Sequence, residues 1–315
     1  MYVNRIMIDK DRFPTQQMYP FNVPAIRATP ELTLRGPIVF FVGENGSGKS
    51  TLLEAVTRKC GIHIWDKPRR HIAHKNPYET KLADYVGVSW TNGRVSGSLF
   101  RSETFHDFAD FLDDVALCDP GRLEYHGGRI LNTLSHGQGI LSYFSGRFRV
   151  KGLYFLDEPE SALSPASQIA FLRLLQQIAA EGQAQFIIAT HSPILLACPG
   201  AQILSFDSSR IEEVAYEDTV HYKIHKQFFT AHYLAADNPR AQSGHSGDEA
   251  RYRYTRGMLL EAIHKGGTYI DVGCANGYLV ESLERWLAGT GLKVTFYGLD
   301  ISEGLLALAR RRLPQ

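Results

Sequence analysis

GENGSGKS, residues 43–50, follows the apolar run IVFFV, residues 38–42, and leads into STLLEAVTRK, residues 50–59. It fits the pattern GxxxxGK[ST], which requires a strand before it and a helix after it. The glycines let the backbone curl so that successive N–H groups point inward at a phosphate, assisted by the dipole of the following helix. Lys49 can reach the β- and γ-phosphates of a nucleotide, and Ser50 offers a hydroxyl to Mg²⁺. The predicted phosphate-binding residues are Gly43, Glu44, Asn45, Gly46, Ser47, Gly48, Lys49, Ser50 and Thr51.

Short apolar runs bounded by turn residues predict strands at 38–42, 153–156, 186–189 and 202–206. Strands that are apolar on both faces are typical of a parallel sheet covered by helices. Helices are predicted at 50–58 and at 165–181, the second ending at Gly182. The less regular region 61–129 is interpreted as a strand-and-helix insertion. The predicted fold class is therefore α/β.

Two carboxylates follow the strand predicted at 153–156. Asp157, at the tip of a strand beside the phosphate loop, can hold Mg²⁺ through water. Glu158 can orient and deprotonate an attacking water, because successive side chains at a strand end leave in different directions. The alternative is an ordinary acidic turn before Pro159. The order and spacing after residues 43–50 favour the Mg²⁺ and water chemistry.

A histidine follows the strand predicted at 186–189. Thr190 leads to His191, Ser192 and Pro193. A histidine just past a buried strand in this order can hydrogen-bond a γ-phosphate or the attacking water. On its own such a residue would more often be packed or solvated. The two preceding motifs favour the γ-phosphate role for His191.

The stretch LSHGQ, residues 134–138, resembles the signature motif of ABC ATPases, and it lies upstream of the Asp157 strand as it does in that family. A serine that begins a helix is also an ordinary N-cap, and a helix N-terminus is a ready anion site. The resemblance covers residues 1 to about 230. It implies that ATP and Mg²⁺ bind the loop at 43–51, and that Ser135, Gly137 and Gln138 contact the γ-phosphate of ATP held by the opposite protomer. A head-to-tail homodimer with two sandwiched ATP molecules is the expected assembly.

The segments DEPESALSP and ATHSPIL resemble small soluble predicted ATPases related to recombination and chromosome-maintenance ATPases. Two residues depart from the family pattern: His136 replaces the usual signature glycine, and Ser164 stands where an aspartate is common. The candidate for the missing Q-loop glutamine is Glu103, which could ligate Mg²⁺ or simply begin a surface helix. For adenine stacking the candidates are Tyr19 and Phe21, with plain packing as the alternative.

The stretch YIDVGCANG, residues 269–277, precedes a predicted helix at 278–286, a strand at 294–298 and a helix at 302–312. This order resembles the opening βαβα of a class I methyltransferase, although Ala275 stands where a glycine is common. The resemblance implies that Asp271, Gly273 and Gly277 would contact S-adenosylmethionine and that Asp300 would bind its ribose hydroxyls. We expect a truncated domain without methyl transfer of its own, and a C-terminal docking appendage is the alternative.

The bulk composition, with 44% hydrophobic and 21% charged residues, is that of a globular protein. A net charge of +1 neither favours nor excludes nucleic acid. Four scattered cysteines and the lack of a signal-like or membrane-spanning apolar run indicate the cytoplasm without membrane insertion. The histidine pairs 71/74 and 221/225 are interpreted as solvated or core residues, not metal ligands, and the basic run 67–70 as a solvated face.

The predicted domains are an ATPase domain at 1–234, a linker at 235–250 and the methyltransferase-like segment at 251–315. Lys49, Glu158 and His191 are the predicted catalytic residues, and Ser50, Asp157 and Glu103 the candidate Mg²⁺ ligands. The predicted function is Mg²⁺-dependent ATP hydrolysis in a cytosolic switch for DNA repair or defence, with DNA or another protein as further partner. The alternatives are a nucleotide-binding subunit of a transporter and a methyltransferase with an ATPase appendage.

Overall fold

A computed structural model gives the structure, and it describes residues 1–65, 76–235, 265–272, 274–300 and 302–313, together with 253, 259, 260 and 263. The chain divides into two compact units, Met1–Lys223 and Ile224–Gln315. The predicted boundaries at residues 234 and 251 stay predictions. Most of the predicted linker lies outside the described residues, as do the 71/74 histidine pair and the basic run 67–70.

The first unit alternates strands and helices. Its strands are β1 (Val3–Ile8), β2 (Glu31–Thr33), β3 (Ile38–Val42), β4 (Val86–Trp90), β5 (Gly97–Arg101), β6 (Gly152–Asp157), β7 (Ala184–Ala189), β8 (Gln202–Ser205) and β9 (Glu212–Glu213). Its helices are α1 (Pro24–Ala28), α2 (Lys49–Lys59), α3 (Phe105–Cys118), α4 (His136–Arg147), α5 (Pro165–Ala180) and α6 (Pro193–Leu196), and α7 (Val220–Ala235) begins in this unit.

The central sheet has six strands in the order β5-β6-β7-β3-β8-β9. The first five run parallel, and β9 pairs with β8 in the antiparallel sense. All five residues of β3 are buried, as expected for a strand covered on both faces. The predicted α/β class and the four predicted strands are confirmed. The region 61–129 supplies β4, β5 and α3, which agrees with a strand-and-helix insertion.

Alternate residues of β3 enter two different apolar cores. Val39 and Phe41 pack in one core with residues of α2 and of the small antiparallel sheet β2-β1-β4. Phe40 and Val42 pack in the other with residues of α3, α4 and α5. Each fully buried side chain of this size contributes roughly 1.5–3 kcal/mol to stability. This two-sided packing fixes the carboxyl end of β3, where the phosphate loop begins.

The predicted helix boundaries hold to within one residue. The helix predicted at 50–58 spans Lys49–Lys59, and the helix predicted at 165–181 spans Pro165–Ala180. Gly182, just beyond that second helix, has a φ of +73°. Such a left-handed residue is a common helix terminator, as the sequence indicated.

The second unit contains a two-stranded parallel sheet of β10 (Gly267–Val272) and β11 (Val294–Leu299). Its helices within the described residues include α8 (Tyr278–Leu287) and α9 (Glu303–Arg312). An ion pair of 2.6 Å between Glu281 of α8 and Arg312 of α9 joins the two helices. The order β-α-β-α agrees with the prediction. None of the helices that the structure describes, in either unit, is long and apolar enough to span a bilayer.

Candidate nucleotide site

The lysine of the phosphate loop, Lys49, donates hydrogen bonds to backbone carbonyls of the same loop. Lys49 Nζ donates hydrogen bonds to the carbonyl oxygens of Gly43 (2.6 Å) and Glu44 (3.0 Å). Burial lowers the pKa of Lys49, and the neighbouring carboxylates oppose this shift. Gly48, the N-cap of α2, has a φ of +102°, and a Cβ there would lie 2.6 Å from Val23 Cγ1. A glycine is therefore required where the loop enters the helix.

Two polar groups define the loop further. Asp207, just beyond β8, accepts the Glu44 N–H at 2.8 Å. The Ser47 hydroxyl is buried and has no hydrogen-bond partner among the described residues. An unpartnered buried hydroxyl inside a glycine-rich loop at a helix N-terminus fits a site that takes phosphate oxygens. Asp207 was not predicted, because a single aspartate after a strand carries no distinctive sequence pattern.

Ser50 and Asp157, two of the three candidate Mg²⁺ ligands, lie in direct contact. Ser50 Oγ donates a hydrogen bond of 2.7 Å to Asp157 Oδ1. Burial is the largest cause that raises the pKa of Asp157, to about 6, although the Ser50 hydrogen bond and Arg101 oppose it. A hydroxyl and a half-buried carboxylate beside a phosphate loop are oxygen donors of the kind that Mg²⁺ takes in such sites. The residues present therefore fit the metal.

Arg101 is a site residue that the sequence did not reveal. The parallel pairing of β5 with β6 sets Arg101 opposite Asp157. Its Nε lies 3.8 Å from Asp157 Oδ2, and its Nη2 forms an ion pair with Glu54 of α2. Glu103, the candidate metal ligand, lies in a short 3-10 turn two residues after β5, and its charge contributes to the raised pKa of Asp157.

Glu158 has an unusual backbone. Its φ of 47° and ψ of 53° are left-handed, which costs a non-glycine residue on the order of 1 kcal/mol. Its N–H donates to the Ala189 carbonyl at 2.9 Å, and its Oε1 lies 3.6 Å from His191 Nε2. The side chain is 44% exposed. The Glu158 side chain is thus more accessible to solvent than that of Asp157, which is 14% exposed, and this suits a group that binds and activates water.

His191 is fixed at two points. Its backbone N–H donates to Glu160 Oε1 at 2.6 Å, and its ring Nδ1 lies 3.1 Å from Nε2 of His221. Burial and the charge of Lys49 lower its pKa, and Glu158 opposes the shift. The interpretation of His221 as a solvated or core residue does not include this contact with His191. The described residues contain no cluster of three or more His, Cys, Asp and Glu suited to a metal.

The predicted signature residues form the start of α4. Ser135 is its N-cap, and the Ser135 N–H donates to Gln138 Oε1 at 3.2 Å within a capping box. A Cβ on Gly137 would lie 3.0 Å from the Ala162 carbonyl, so a glycine allows a close approach to the segment after Glu158. No hydrogen bond among the described residues joins these positions to the loop at 43–51. Ser164 caps α5 by accepting the Ser167 N–H.

The two adenine-stacking candidates differ. Phe21 is fully buried against the rings of Phe13, Tyr78 and Tyr85, which contradicts a stacking role and supports the packing alternative. Tyr19 is 42% exposed, and its hydroxyl lies 3.0 Å from Thr51 Oγ1 of the phosphate-loop helix. Tyr19 therefore stays a candidate for adenine contact.

Most of the candidate S-adenosylmethionine residues take part in backbone contacts within the second unit. Asp300 accepts the N–H groups of Ala275 (2.9 Å) and Ser302 (2.8 Å). Gly277 is the left-handed N-cap of α8, Asp271 pairs with Gly298 across the sheet, and Gly273 lies outside the described residues. The S-adenosylmethionine site stays a prediction.

The chain is similar in sequence to several known proteins. A family model described as "AAA domain, putative AbiEii toxin, Type IV TA system" matches residues 127–197. The methionine import ATP-binding protein MetN 1 of Pseudomonas fluorescens is 26% identical over 215 residues, which are 61% of this chain and 62% of that protein. The thiamine import ATP-binding protein ThiQ of Haemophilus influenzae is 24% identical over 224 residues, covering 68% of this chain and 98% of that protein.

Among solved structures, the SMC head domain from Thermotoga maritima covers 68% of this chain and 99% of its own, with 15% identity and a TM-score of 0.39. The chain spans less than two thirds (62%) of the methionine import protein's length and 98% of the thiamine import protein's length. The matched stretch 127–197 contains the signature residues, the Asp157–Glu158 pair and His191. The predicted fold class is confirmed: the first unit has the α/β fold of ABC-type P-loop ATPases, and the chain is similar in sequence to ATP-binding proteins of import systems.

Proposed function

We propose that this chain binds ATP with Mg²⁺ and hydrolyses it within a dimer that closes around two nucleotides. The observation that carries the proposal is the convergence of three groups at the strand ends. Ser50 bonds Asp157 at 2.7 Å, Lys49 is seated inside the phosphate loop, and Glu158 lies 3.6 Å from His191. Similarity to ABC ATP-binding proteins supports the same chemistry.

The roles of the residues follow from their positions. The backbone N–H groups of the loop and Lys49 would bind the β- and γ-phosphates, because Lys49 can exchange its two carbonyl partners for phosphate oxygens. Mg²⁺, held by Ser50 and Asp157 with Glu103 as a further candidate, would supply charge stabilisation at the phosphate oxygens when bound. Glu158 would direct a water at the γ-phosphorus, and His191 would hydrogen-bond the γ-phosphate.

The dimer completes this site. The α4 N-terminus carries Ser135, Gly137 and Gln138, and no hydrogen bond joins these described residues to the chain's own phosphate loop. A helix N-terminus offers backbone N–H groups and a favourable dipole to an anion. We propose that this end of α4 contacts the γ-phosphate bound to a second copy, so that hydrolysis releases the two copies.

The Glu158→Gln variant tests the proposal, because it keeps the shape of the side chain but removes its basicity. With ATP and Mg²⁺ we expect this variant to elute as a species of twice the 35.3 kDa chain mass, measured by light scattering, and to retain unhydrolysed ATP. Glu181→Gln, at the exposed C-cap of α5, is the matched control and should hydrolyse ATP like wild type. A Glu158→Gln variant that stays monomeric with ATP would overturn the dimer proposal.

The output of the cycle is a separate proposal. We favour a cytosolic ATPase switch, and its narrower assignment to DNA repair or defence predicts that DNA stimulates ATP hydrolysis. The import ATP-binding proteins among the relatives favour a second candidate, a transporter's nucleotide-binding subunit. Capture of the Glu158→Gln dimer separates the two, because an integral membrane partner would support the transporter and oppose the switch.

A further inference from the structure

The ring of His191 has a neighbour on each of its two nitrogens. Nδ1 lies 3.1 Å from Nε2 of His221, and Nε2 lies 3.6 Å from Oε1 of Glu158. His221 lies 30 residues further along the chain, in the first turn of α7. One face of His191 thus meets the proposed reaction centre, and the other meets a second histidine that has no role in the proposed hydrolysis.

The N···N contact restricts the tautomers of both rings. A neutral imidazole has one N–H, so a single proton lies between the two nitrogens. If His191 donated that proton, its Nε2 would be a bare lone pair facing the Glu158 carboxylate, and two acceptors would oppose each other. If His221 donates, the His191 proton lies on Nε2 and can interact with Glu158 or a γ-phosphate oxygen. The geometry favours His221 as the donor.

We propose that His221 is a positioning residue that donates from its Nε2 to Nδ1 of His191 and keeps His191 protonated at Nε2, facing the γ-phosphate. This inference rests on the proposed ATP hydrolysis. The second nitrogen of a functional histidine commonly takes a partner that fixes its tautomer and ring orientation. Here a neutral histidine would do so, in place of the more usual carboxylate or carbonyl.

Both residues are held firmly enough for this role. The His191 backbone is bonded to Glu160 at 2.6 Å, so its ring moves only by side-chain rotation. His221 follows Thr219, which is 1% exposed and accepts the Tyr222 N–H at the start of α7. Burial and the nearby Lys49 lower the pKa of His191, with Glu158 and Glu44 opposing and His221 adding to the shift. A neutral His191 is the state in which the tautomer matters.

Steady-state ATP hydrolysis by three variants tests the proposal. His221→Ala should lower kcat by about 10- to 100-fold while KM for ATP changes little, because the proton of His191 is no longer directed at the γ-phosphate. His221→Gln should recover most of the rate, since its amide can donate to Nδ1. His225→Ala, one turn further along α7 and exposed, is the matched control with wild-type kinetics. Wild-type kcat in His221→Ala, or no rescue by His221→Gln, would overturn the proposal.

Nitrogen NMR of ¹⁵N-histidine-labelled protein without nucleotide gives a readout independent of hydrolysis. The His191 signals are assigned by their loss in His191→Ala. Wild type should show a protonated Nε2 and an unprotonated Nδ1, and His221→Ala should show a mixture of both tautomers. A wild-type His191 protonated at Nδ1 would overturn the inference. Failure of wild type to hydrolyse ATP would instead overturn the proposed function, and the tautomer measurement would still stand.

Discussion

The two units share a local device but differ in what surrounds it. In the first unit a strand, a glycine-containing turn and a helix N-terminus occur as β3, the phosphate loop and α2. The second unit has the same succession in β10, the turn before Gly277, and α8. Gly48 and Gly277 are both left-handed N-caps, with φ values of 102° and 74°. Local backbone geometry alone therefore does not distinguish the two turns.

The sheets around the turns differ. Strand β3 lies between β7 and β8, and all five of its residues are buried. Strand β10 pairs with β11 in a two-stranded sheet, and Ile270 is 62% exposed on it. A strand covered on both faces holds its carboxyl end rigidly, whereas a two-stranded sheet is marginal as an isolated unit.

The polar groups beside the turns differ as well. In the first unit Asp157 is half-buried with a raised pKa, and the Ser47 hydroxyl has no partner among the described residues. In the second unit both carboxylate oxygens of Asp300 accept backbone N–H groups. A ligand site requires groups whose hydrogen-bonding capacity is not used by the protein itself. By this criterion the Ser47 hydroxyl leaves the first turn open to a ligand, whereas each Asp300 oxygen beside the second turn already has a backbone partner.

Replacement of the phosphate-loop lysine should have the largest effect. Lys49→Ala removes the cation at the β- and γ-phosphates, and loss of one such charged donor typically lowers turnover by about 100- to 1,000-fold. Lys59→Ala, at the exposed end of the same helix, is the matched control with wild-type hydrolysis. The rate of phosphate release from ATP is measured for both variants. If Lys49→Ala bound nucleotide with wild-type affinity, the first turn would not bind phosphate through Lys49, and the proposed difference between the two turns would be wrong.

Removal of the buried charge at Asp157 should stabilise the nucleotide-free protein. Because burial raises the pKa of Asp157 from 3.8 to about 6, the folded state holds this proton more tightly than the unfolded state. The free energy of unfolding therefore falls as pH rises from about 4 to 6, by at most about 3 kcal/mol. Asp157→Asn cannot ionise, keeps an oxygen for Ser50, and should be more stable by about 1–3 kcal/mol at pH 7.5, while losing hydrolysis.

Urea unfolding in metal-free buffer, repeated between pH 4 and pH 7.5, measures this difference. The gain of Asp157→Asn over wild type should shrink to a small fraction near pH 4, where Asp157 is protonated in the folded state and about half protonated in the unfolded state. Loss of the Arg101 interaction opposes the gain, so Arg101→Gln is a useful companion variant. If Asp157→Asn were less stable than wild type at pH 7.5, the stabilisation from the Arg101–Asp157 ion pair would exceed the cost of burying the Asp157 charge.

Local sequence patterns predicted much of the first unit. Strands β3, β6, β7 and β8 are buried runs, so the sequence predicts each of them to within two residues of its observed bounds, whereas β5 and β9 of the same sheet are less buried and have no predicted bounds. Lys49, Ser50, Asp157 and Glu158 lie in short motifs next to these strands. The motifs work because the carboxyl ends of neighbouring parallel strands meet at one edge of the sheet, whatever the connecting segments contain.

The remaining site residues could not be predicted from local patterns. Arg101 is one of 34 basic residues, and only the register of β5 against β6 sets it opposite Asp157. Asp207 reaches the loop from β8, and His221 reaches His191 from a helix 30 residues away. Phe21 and Tyr19 are near neighbours of similar chemistry, yet tertiary packing buries one and exposes the other. Such pairings depend on long-range contacts that have no signature in a single sequence.

The smallest predicted effect concerns Asp300, the counterpart of Asp157 in the second unit. Asp300→Asn turns one acceptor into a donor that faces an N–H group, so one hydrogen bond is lost and the other kept, at a cost of about 1–2 kcal/mol. The bond to Ala275 also supports a strained residue, because Ala275 has a left-handed φ of 47° where a glycine would be relaxed. The same substitution should thus stabilise the first unit at Asp157 and loosen the second at Asp300.

Hydrogen exchange over residues 274–300 measures the loosening, with Glu303→Gln as the exposed control. Calorimetric titration of both proteins with S-adenosylmethionine decides what Asp300 does. If its carboxylate is committed to the backbone, wild type binds weakly or not at all, and Asp300→Asn exchanges faster. If instead wild type binds tightly and Asp300→Asn loses binding with unchanged exchange, the carboxylate serves a ribose, and the second turn is a ligand site like the first.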